Sequence, residues 1–287
     1  MRPFAYARPG SLAEVYDRLE DVEPSAVRLI VGGTDLIVGL QSGKVRPELV
    51  VDLKHLADLP PRIEVAGDRL SISAPTSLTD VIADERVRTW FPALVEAAST
   101  VGSVQIRNRA SLTGNICNAS PAYDTATALL VHDAEIVLGS RAGTRRVPVR
   151  DFVRGPRSTD LRPGEIATAV ELPVPGERLG TSFARLTRRR GVDLATLSLC
   201  CAVGERRTRF AFGAVAPRPF VVDDDSGVLA DPGSSAAERE DVLRSMTSQA
   251  RPISDIRAGQ DYRQAMLLVL SRRAHETALA ARNGVRS

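Results

Sequence analysis

Two polar stretches carry the residue types with which this chain could do chemistry. The first, "VRLIVGGTDLIVGLQSG" (27–43), sets Gly32, Gly33, Thr34 and Asp35 directly behind a short apolar run. The second, "GSVQIRNRASLTGNICNASPAYDTATALL" (102–130), is rich in serine, threonine, asparagine and glycine. Adjacent glycines allow positive φ and let a ligand come close to the backbone. Successive amides in such a turn converge into a small anion-binding concavity, and a helix that starts behind it adds unpaired donors. Taken alone, Gly32 and Gly33 fit a plain strand-to-helix turn equally well. An amide cradle needs no lysine, which matters because only Lys44 and Lys54 occur among 38 basic residues.

Other devices are missing. "GLQSGKV" has three residues between Gly39 and Gly43, and Val45 stands where a magnesium-binding hydroxyl belongs, so it is no triphosphate-binding loop. No GxGxxG follows a strand. His55, His132 and His275 are dispersed, without HExxH spacing or a serine nucleophile elbow, and read as surface or packing residues. Cys117, Cys200 and Cys201 are too few for a disulfide framework or a four-cysteine cluster, so any iron–sulfur centre belongs to another chain. Cys200 and Cys201 read as core residues, since one of two adjacent strand side chains must face inward. No catalytic residue and no metal ligand is assigned, and the chemistry falls to a cofactor. The net charge of +3 is mild and no nucleic-acid module is recognisable. "RLTRRRG" (185–191), the densest basic run, reads as a structural contact or a ligand contact. No apolar run reaches the roughly 18 residues that cross a bilayer, and the start lacks the apolar core of a secretory signal, so a cytoplasmic location is expected.

The elements that must position these stretches follow from periodicity. Ser11 with Glu14 marks a helix start in "GSLAEVYDRLE". "VRLIV" reads as a short buried strand, after which Thr34 or Asp35 caps a helical turn. "ELVVDLKHL" reads as another strand. "RIEVAGDRLSISA" reads as a hairpin around Gly67 and Asp68. Helices are expected over "LTDVIADERV" and "FPALVEAAS", a polar loop after Gly102, and a helix passing into strands from Thr125. Pro173 and Pro175 sit at a domain boundary. "LATLSLCCAV" and "TRFAFGAVA" read as sheet strands, "VDDDSGVLADPGSS" as a surface excursion, and "DYRQAMLLVLSRRAHETALA" as an amphipathic helix packed on that sheet. The mixture is α+β, without internal repeats.

Residues 27–38 and 102–130 together resemble the FAD-binding subunit of the molybdenum hydroxylases. "VPVRDFVRGPRSTDLRPGEIATAVELPVP", "FARLTRRRGVDLATLSLCCAV", "FGAVAPRPFVV" and "RPISDIRAGQDYRQAMLLVLSRRA" extend the resemblance over nearly the whole chain. It implies a two-part FAD-binding domain of the p-cresol methylhydroxylase/vanillyl-alcohol oxidase type over 1–176, with subdomains about 1–58 and 59–176, and a C-terminal sheet-and-helix domain over 177–287. The FAD-binding positions it implies are Val31, Gly32, Gly33, Thr34, Asp35 and Leu36 in a first loop. Gln105, Ile106, Arg107 and Asn108 form the approach to a second loop, which holds Ser111, Leu112, Thr113, Gly114 and Asn115. Asp124 and Arg185 complete the set. Asn108 serves as scaffold or contact, and Arg107 pairs with a carboxylate or a phosphate. Arg189 and Asp193 bracket the flavin or form a structural ion pair.

Two departures stand out. The family commonly has two glycines before the asparagine of the second loop, where this chain has Thr113-Gly114-Asn115, so ordinary backbone angles and an added hydroxyl contact are expected at Thr113. Arg185 stands where lysine is frequent. The resemblance further implies electron relay from two [2Fe-2S] clusters on a small partner, fed by a molybdopterin cofactor on a large partner, through FAD on this chain to an external acceptor. A dimer of heterotrimers is among the assemblies it allows. The alternatives are an independent FAD-dependent oxidoreductase with its own substrate pocket, and a ligand-binding or assembly module without redox use.

Overall fold

In the computed structural model, residues 2–20 and 22–284 are described. Three short apolar strands separated by helices build the first sheet: β1 (Ala5–Ala7), α1 (Leu12–Glu20), β2 (Val27–Ile30), α2 (Leu36–Gln41) and β3 (Leu49–Asp52). The strands are parallel in the order β1-β3-β2, so each connection crosses over and carries a helix. Glu14 and Ser11 do start α1, but the Glu14 carboxylate reaches back to the Gly10 amide (3.0 Å) while Ser11 Oγ accepts from the Glu14 amide (3.3 Å). "VRLIV" departs from expectation: β2 is an edge strand with only Val27 buried, and the central strand β3 carries the buried residues Val50, Val51 and Asp52.

The hairpin expected at Gly67 forms β4 (Ile63–Ala66) and β5 (Arg69–Ser73), with Gly67 at φ +63°. Five short helices follow: α3 (Leu78–Ala83), α4 (Glu85–Trp90), α5 (Pro92–Ser99), α6 (Val104–Arg107) and α7 (Leu112–Cys117). The single helix expected over "LTDVIADERV" is two, because the extended Asp84 ends α3 and its carboxylate accepts from the Arg86 (2.9 Å) and Val87 (3.2 Å) amides that open α4. The expected polar loop after Gly102 likewise contains α6 and α7, capped by Ser103 and Ser111, with Leu112 and Ile116 burying one helical face. Next come α8 (Thr125–Val131), β6 (Glu135–Ser140), β7 (Gly143–Pro148), α9 (Val149–Phe152), the small ribbon β8 (Val153–Gly155) with β9 (Ser158–Thr159), and β10 (Ile166–Pro173). These close an antiparallel sheet in the order β4-β5-β10-β6-β7.

The C-terminal part is an antiparallel meander of β11 (Gly180–Leu186), β12 (Leu197–Val203), β13 (Thr208–Gly213) and β14 (Phe220–Asp224), followed by α10 (Ala236–Thr247) and α11 (Gln260–Arg282). As expected, α11 packs on the sheet, against β11 and β12. The opposite face is covered too, by α8 and α5 of the N-terminal part. This bears out the core reading of the cysteine pair and places the two residues in different cores. Cys200 joins the core shared with α8, Cys201 joins the core under α11, and both are fully buried because the sheet has no solvent face. Nor is "VDDDSGVLADPGSS" purely a surface excursion. Its start is β14, and the Asp224 carboxylate accepts from the Ser226 and Leu229 amides (both 3.0 Å), which folds Leu229 into the core.

Candidate functional site

The β2–α2 connection is the tightest backbone feature near the expected site. Gly33 turns at φ +73°, and its carbonyl accepts from the Ile37 amide (2.9 Å) to open α2. Asp35 occupies the position before that helix, yet its side chain caps nothing. Among the described residues, no backbone or side-chain acceptor takes the amides of Gly32, Gly33, Thr34, Asp35 and Leu36. Five consecutive donors are therefore free for a ligand.

The second stretch is held against the first. A Cβ on Gly32 would fall 2.6 Å from the Arg109 carbonyl carbon and 3.0 Å from Ala110 Cα, so the backbones pack directly on one another at that glycine. Ala110 is in turn pinned from the other side, where its carbonyl accepts from the Leu78 amide at 2.8 Å. Thr79 Oγ1 donates to Asn108 Oδ1 (2.6 Å) and Thr125 Oγ1 to Asn115 Oδ1 (2.6 Å), so both asparagine carbonyls are engaged in fixing the loop. Ser111 Oγ accepts from the Gly114 amide (3.1 Å), which leaves the Ser111 and Thr113 amides without an acceptor among the described residues, while the Leu112 amide faces Thr76 across the isolated bridge of Ser77 with Ser111. The structure thus brings Gly32 of the first loop together with the backbone leading into Ser111–Asn115.

The other expected site residues are not part of the contact at Gly32. Gln105 and Ile106 are on the exposed side of α6. Arg107 pairs with no carboxylate among the described residues; it donates to the Val101 carbonyl (3.1 Å). Arg189 donates to the Val192 carbonyl, and the ion pair with Asp193 is made by Arg188 (3.3 Å). Asp124 and Arg185 meet each other: Arg185 Nη1 lies 2.8 Å from Asp124 Oδ2, with little of either side chain exposed. Burial pushes the Asp124 carboxyl up, opposed by the Arg185 charge and by hydrogen bonds from Thr100 and Arg185. Thr100 had no signal in the sequence, since it reaches Asp124 from a separate element and carries no motif.

Thr113 lies inside α7 at an ordinary backbone angle, as expected, and its hydroxyl is buried with no partner for Oγ1 among the described residues. A buried hydroxyl left unpaired costs about 1–3 kcal/mol. Thr113→Val is therefore expected to raise the melting temperature by a few degrees and to leave FAD affinity unchanged, to be checked by thermal unfolding and flavin titration. A marked loss of affinity would show that the hydroxyl touches the cofactor after all.

The titratable residues away from the loops form no reactive cluster. Burial lowers His132 to about 4, and its ring meets Phe91 edge-on at 4.9 Å. His275 Nε2 lies 2.7 Å from the Leu229 carbonyl oxygen. Burial raises the Cys117 thiol to about 12. Among the described residues no three His, Cys, Asp or Glu side chains are grouped to hold a metal ion, and no helix is long and apolar enough to cross a membrane.

The comparisons with known proteins agree with this geometry. The sequence profile described as "FAD binding domain in molybdopterin dehydrogenase" matches residues 2–175, and that of the "CO dehydrogenase flavoprotein C-terminal domain" matches 182–278. The xanthine dehydrogenase FAD-binding subunit of Escherichia coli O157:H7 is 31% identical, over 98% of this chain and 97% of that one. The glyceraldehyde dehydrogenase medium chain of Sulfolobus acidocaldarius is 30% identical, over 94% and 96%. A chain of carbon monoxide dehydrogenase from Hydrogenophaga pseudoflava, in the form lacking the Mo-pyranopterin moiety, superposes with a TM-score of 0.90 at 25% identity, covering 98% of this chain and 99% of its own. With an FAD-binding N-terminal part, a flavoprotein C-terminal part and full-length relatives of both, the chain belongs to the family of FAD-binding subunits of the molybdopterin dehydrogenases.

Proposed function

We propose that the two loops together hold the diphosphate of FAD, with the free amides of Gly32 to Leu36 on one side and those of Ser111 and Thr113 on the other. The observation that carries this reading is the backbone contact of Gly32 with Arg109 and Ala110, which brings two sets of unused donors to one place. Backbone donors cost no rearrangement and stabilise a doubly charged group without lysine. Val31, Gly32, Gly33, Thr34, Asp35 and Leu36 form one wall. Ser111, Thr113, Gly114 and Asn115 form the other, while Asn108 braces the loop and Gln105 and Ile106 flank it. Asp124 and Arg185 stand behind this wall as a brace.

FAD, when bound, supplies the electron carrier between one-electron and two-electron partners. The rest of the protein's work is to hold that group, exclude competing ligands from the cradle and present it to neighbours. The partners we infer are a large molybdopterin-binding subunit and a small subunit with [2Fe-2S] clusters, in a cytoplasmic heterotrimer or a dimer of heterotrimers, with an external acceptor. Residues 1–176, divided near 58, would form the cofactor domain and 177–287 the C-terminal domain.

The test is purification from the native host without separating tight partners, followed by visible absorbance and metal analysis. FAD accompanied by two chains bearing iron and molybdenum is the expected result. FAD on a chain that turns over a substrate alone would transfer the reading to an independent oxidoreductase, and a colourless chain that takes up no FAD would end it.

A further inference from the structure

The longest connection of the C-terminal sheet, residues 187–196 between β11 and β12, carries Arg188, Arg189 and Arg190 at its surface together with exposed Val192 and Leu194. Its base is closed by the Thr196 amide on the Leu186 carbonyl (2.7 Å) and by Arg257 on the Ala195 carbonyl (2.9 Å), and a third group, Arg185, ties it across to the N-terminal part. Arg185 Nη2 donates to the Asp193 carbonyl (2.8 Å) within the connection, while Nη1 donates to Asp124 Oδ2 (2.8 Å) at the start of α8 and to the Thr100 carbonyl (3.2 Å) at the end of α5. Thr100 lies two residues before Gly102, where the second loop's approach begins. Resting on the cradle assigned above, we infer that Arg185 is a positioning residue: it fastens the β11–β12 connection to the flank of the cofactor cradle through Asp193, Asp124 and Thr100, and does not itself touch the cofactor.

The guanidinium suits this task because its planar fork can meet three acceptors at once, which an ammonium on a flexible stem cannot do in the same plane. The groups facing Asp124 are Arg185 from β11, the Thr100 hydroxyl from α5 (3.3 Å) and, nearby without a hydrogen bond, Ser198 from β12. Glu96, one turn earlier on α5, is engaged by the Phe183 amide at 3.0 Å. Arg185 therefore supplies the positive charge that opposes the upward push of burial on the Asp124 carboxyl.

Two variants separate the parts of this role, and neither readout requires FAD. In Arg185→Met the buried Asp124 loses its counter-charge, and its folded-state pKa rises. A raised folded pKa gives stability that is present at low pH and lost as pH rises through that value. The melting temperature of Arg185→Met is accordingly expected to fall between about pH 5 and pH 8. Wild type should show only a smaller fall, since its Asp124 keeps the Arg185 charge, and the double variant Arg185→Met/Asp124→Asn none. Arg185→Lys keeps the charge beside Asp124 but cannot hold Asp193 as well, so its pH profile should resemble wild type while trypsin cuts after Arg188, Arg189 or Arg190 roughly tenfold faster. Wild-type protection from trypsin in Arg185→Lys, or a pH profile in Arg185→Met that Asp124→Asn leaves unchanged, would overturn the assignment. Failure of wild-type protein to take up FAD would instead sink the cradle reading and leave these two results standing.

Discussion

Gly32→Ala is expected to strip FAD from the protein, with an affinity loss of about a hundredfold, corresponding to about 3 kcal/mol. The reason is local and steric. The added methyl would overlap the Arg109 carbonyl and press on Ala110 Cα, both of them backbone atoms, and Ala110 is braced from behind by the Leu78 amide. A side chain can rotate out of the way of an extra carbon; here one loop must move away from the other, and overpacking of this kind costs about 1–3 kcal/mol. The two groups of free amides then no longer face a common ligand. Gly33→Ala makes an instructive comparison. Its cost is mainly the φ of +73°, about 1–2 kcal/mol for an L-residue, and its methyl would meet the movable side chains of Ile30 and Ile37. Flavin fluorescence titration should therefore rank affinities as wild type, then Gly33→Ala, then Gly32→Ala. The reverse order for the two variants would show that the turn's handedness, and not contact between the loops, governs binding.

The glycine pair was legible in the sequence because its use is local, and so were the hairpin at Gly67 and the long helix α11. What the sequence did not show depends on partners distant along the chain. "VRLIV" reads as a buried strand from composition alone, yet strand order decides burial, and β3 took the central place. Cys200 and Cys201 could not be known to be buried together without α8 arriving on one face and α11 on the other. Pairing of charges was the least legible feature. Arg185 is 61 residues from Asp124, and the arginines of "RLTRRRG" divide their tasks by a few ångströms of loop geometry, so that Arg188 and not Arg189 meets Asp193. The capped helices α6 and α7 were hidden inside a polar stretch, because Ser103 and Ser111 are equally good loop residues until apolar positions behind them find a core.

Asp255→Asn should lower the stability of the C-terminal part by about 3 kcal/mol, measured as a shift in its urea or thermal unfolding. Arg263, on α11, has the largest fully buried side chain, and its guanidinium is balanced by Asp255 Oδ1 (2.5 Å) and the Ala214 carbonyl (2.9 Å). Removing the carboxylate charge leaves a desolvated cation with neutral acceptors only, which is the expensive way to break a buried pair. Asp255 is partly exposed and also binds Arg257, so the lower end of the range for such losses applies. Arg257 beside Asp255 holds its carboxyl far below the usual carboxylate range. A depressed folded-state pKa gives stability that is present above the unfolded value, about 3.9, and lost as pH falls through the folded one. The gap between wild type and variant should therefore be full at neutral pH and close on the acid side of that value. The same substitution reaches the cradle by a second route. Arg257, once released by Asp255, no longer has its donor aligned on the Ala195 carbonyl (2.9 Å), which fastens the far end of the β11–β12 connection. Asp255→Asn should then speed tryptic cleavage at Arg188 to Arg190 without changing the pH profile that Arg185 controls, because Asp124 keeps its partner. Cleavage at the wild-type rate would mean that Arg185 alone secures the connection.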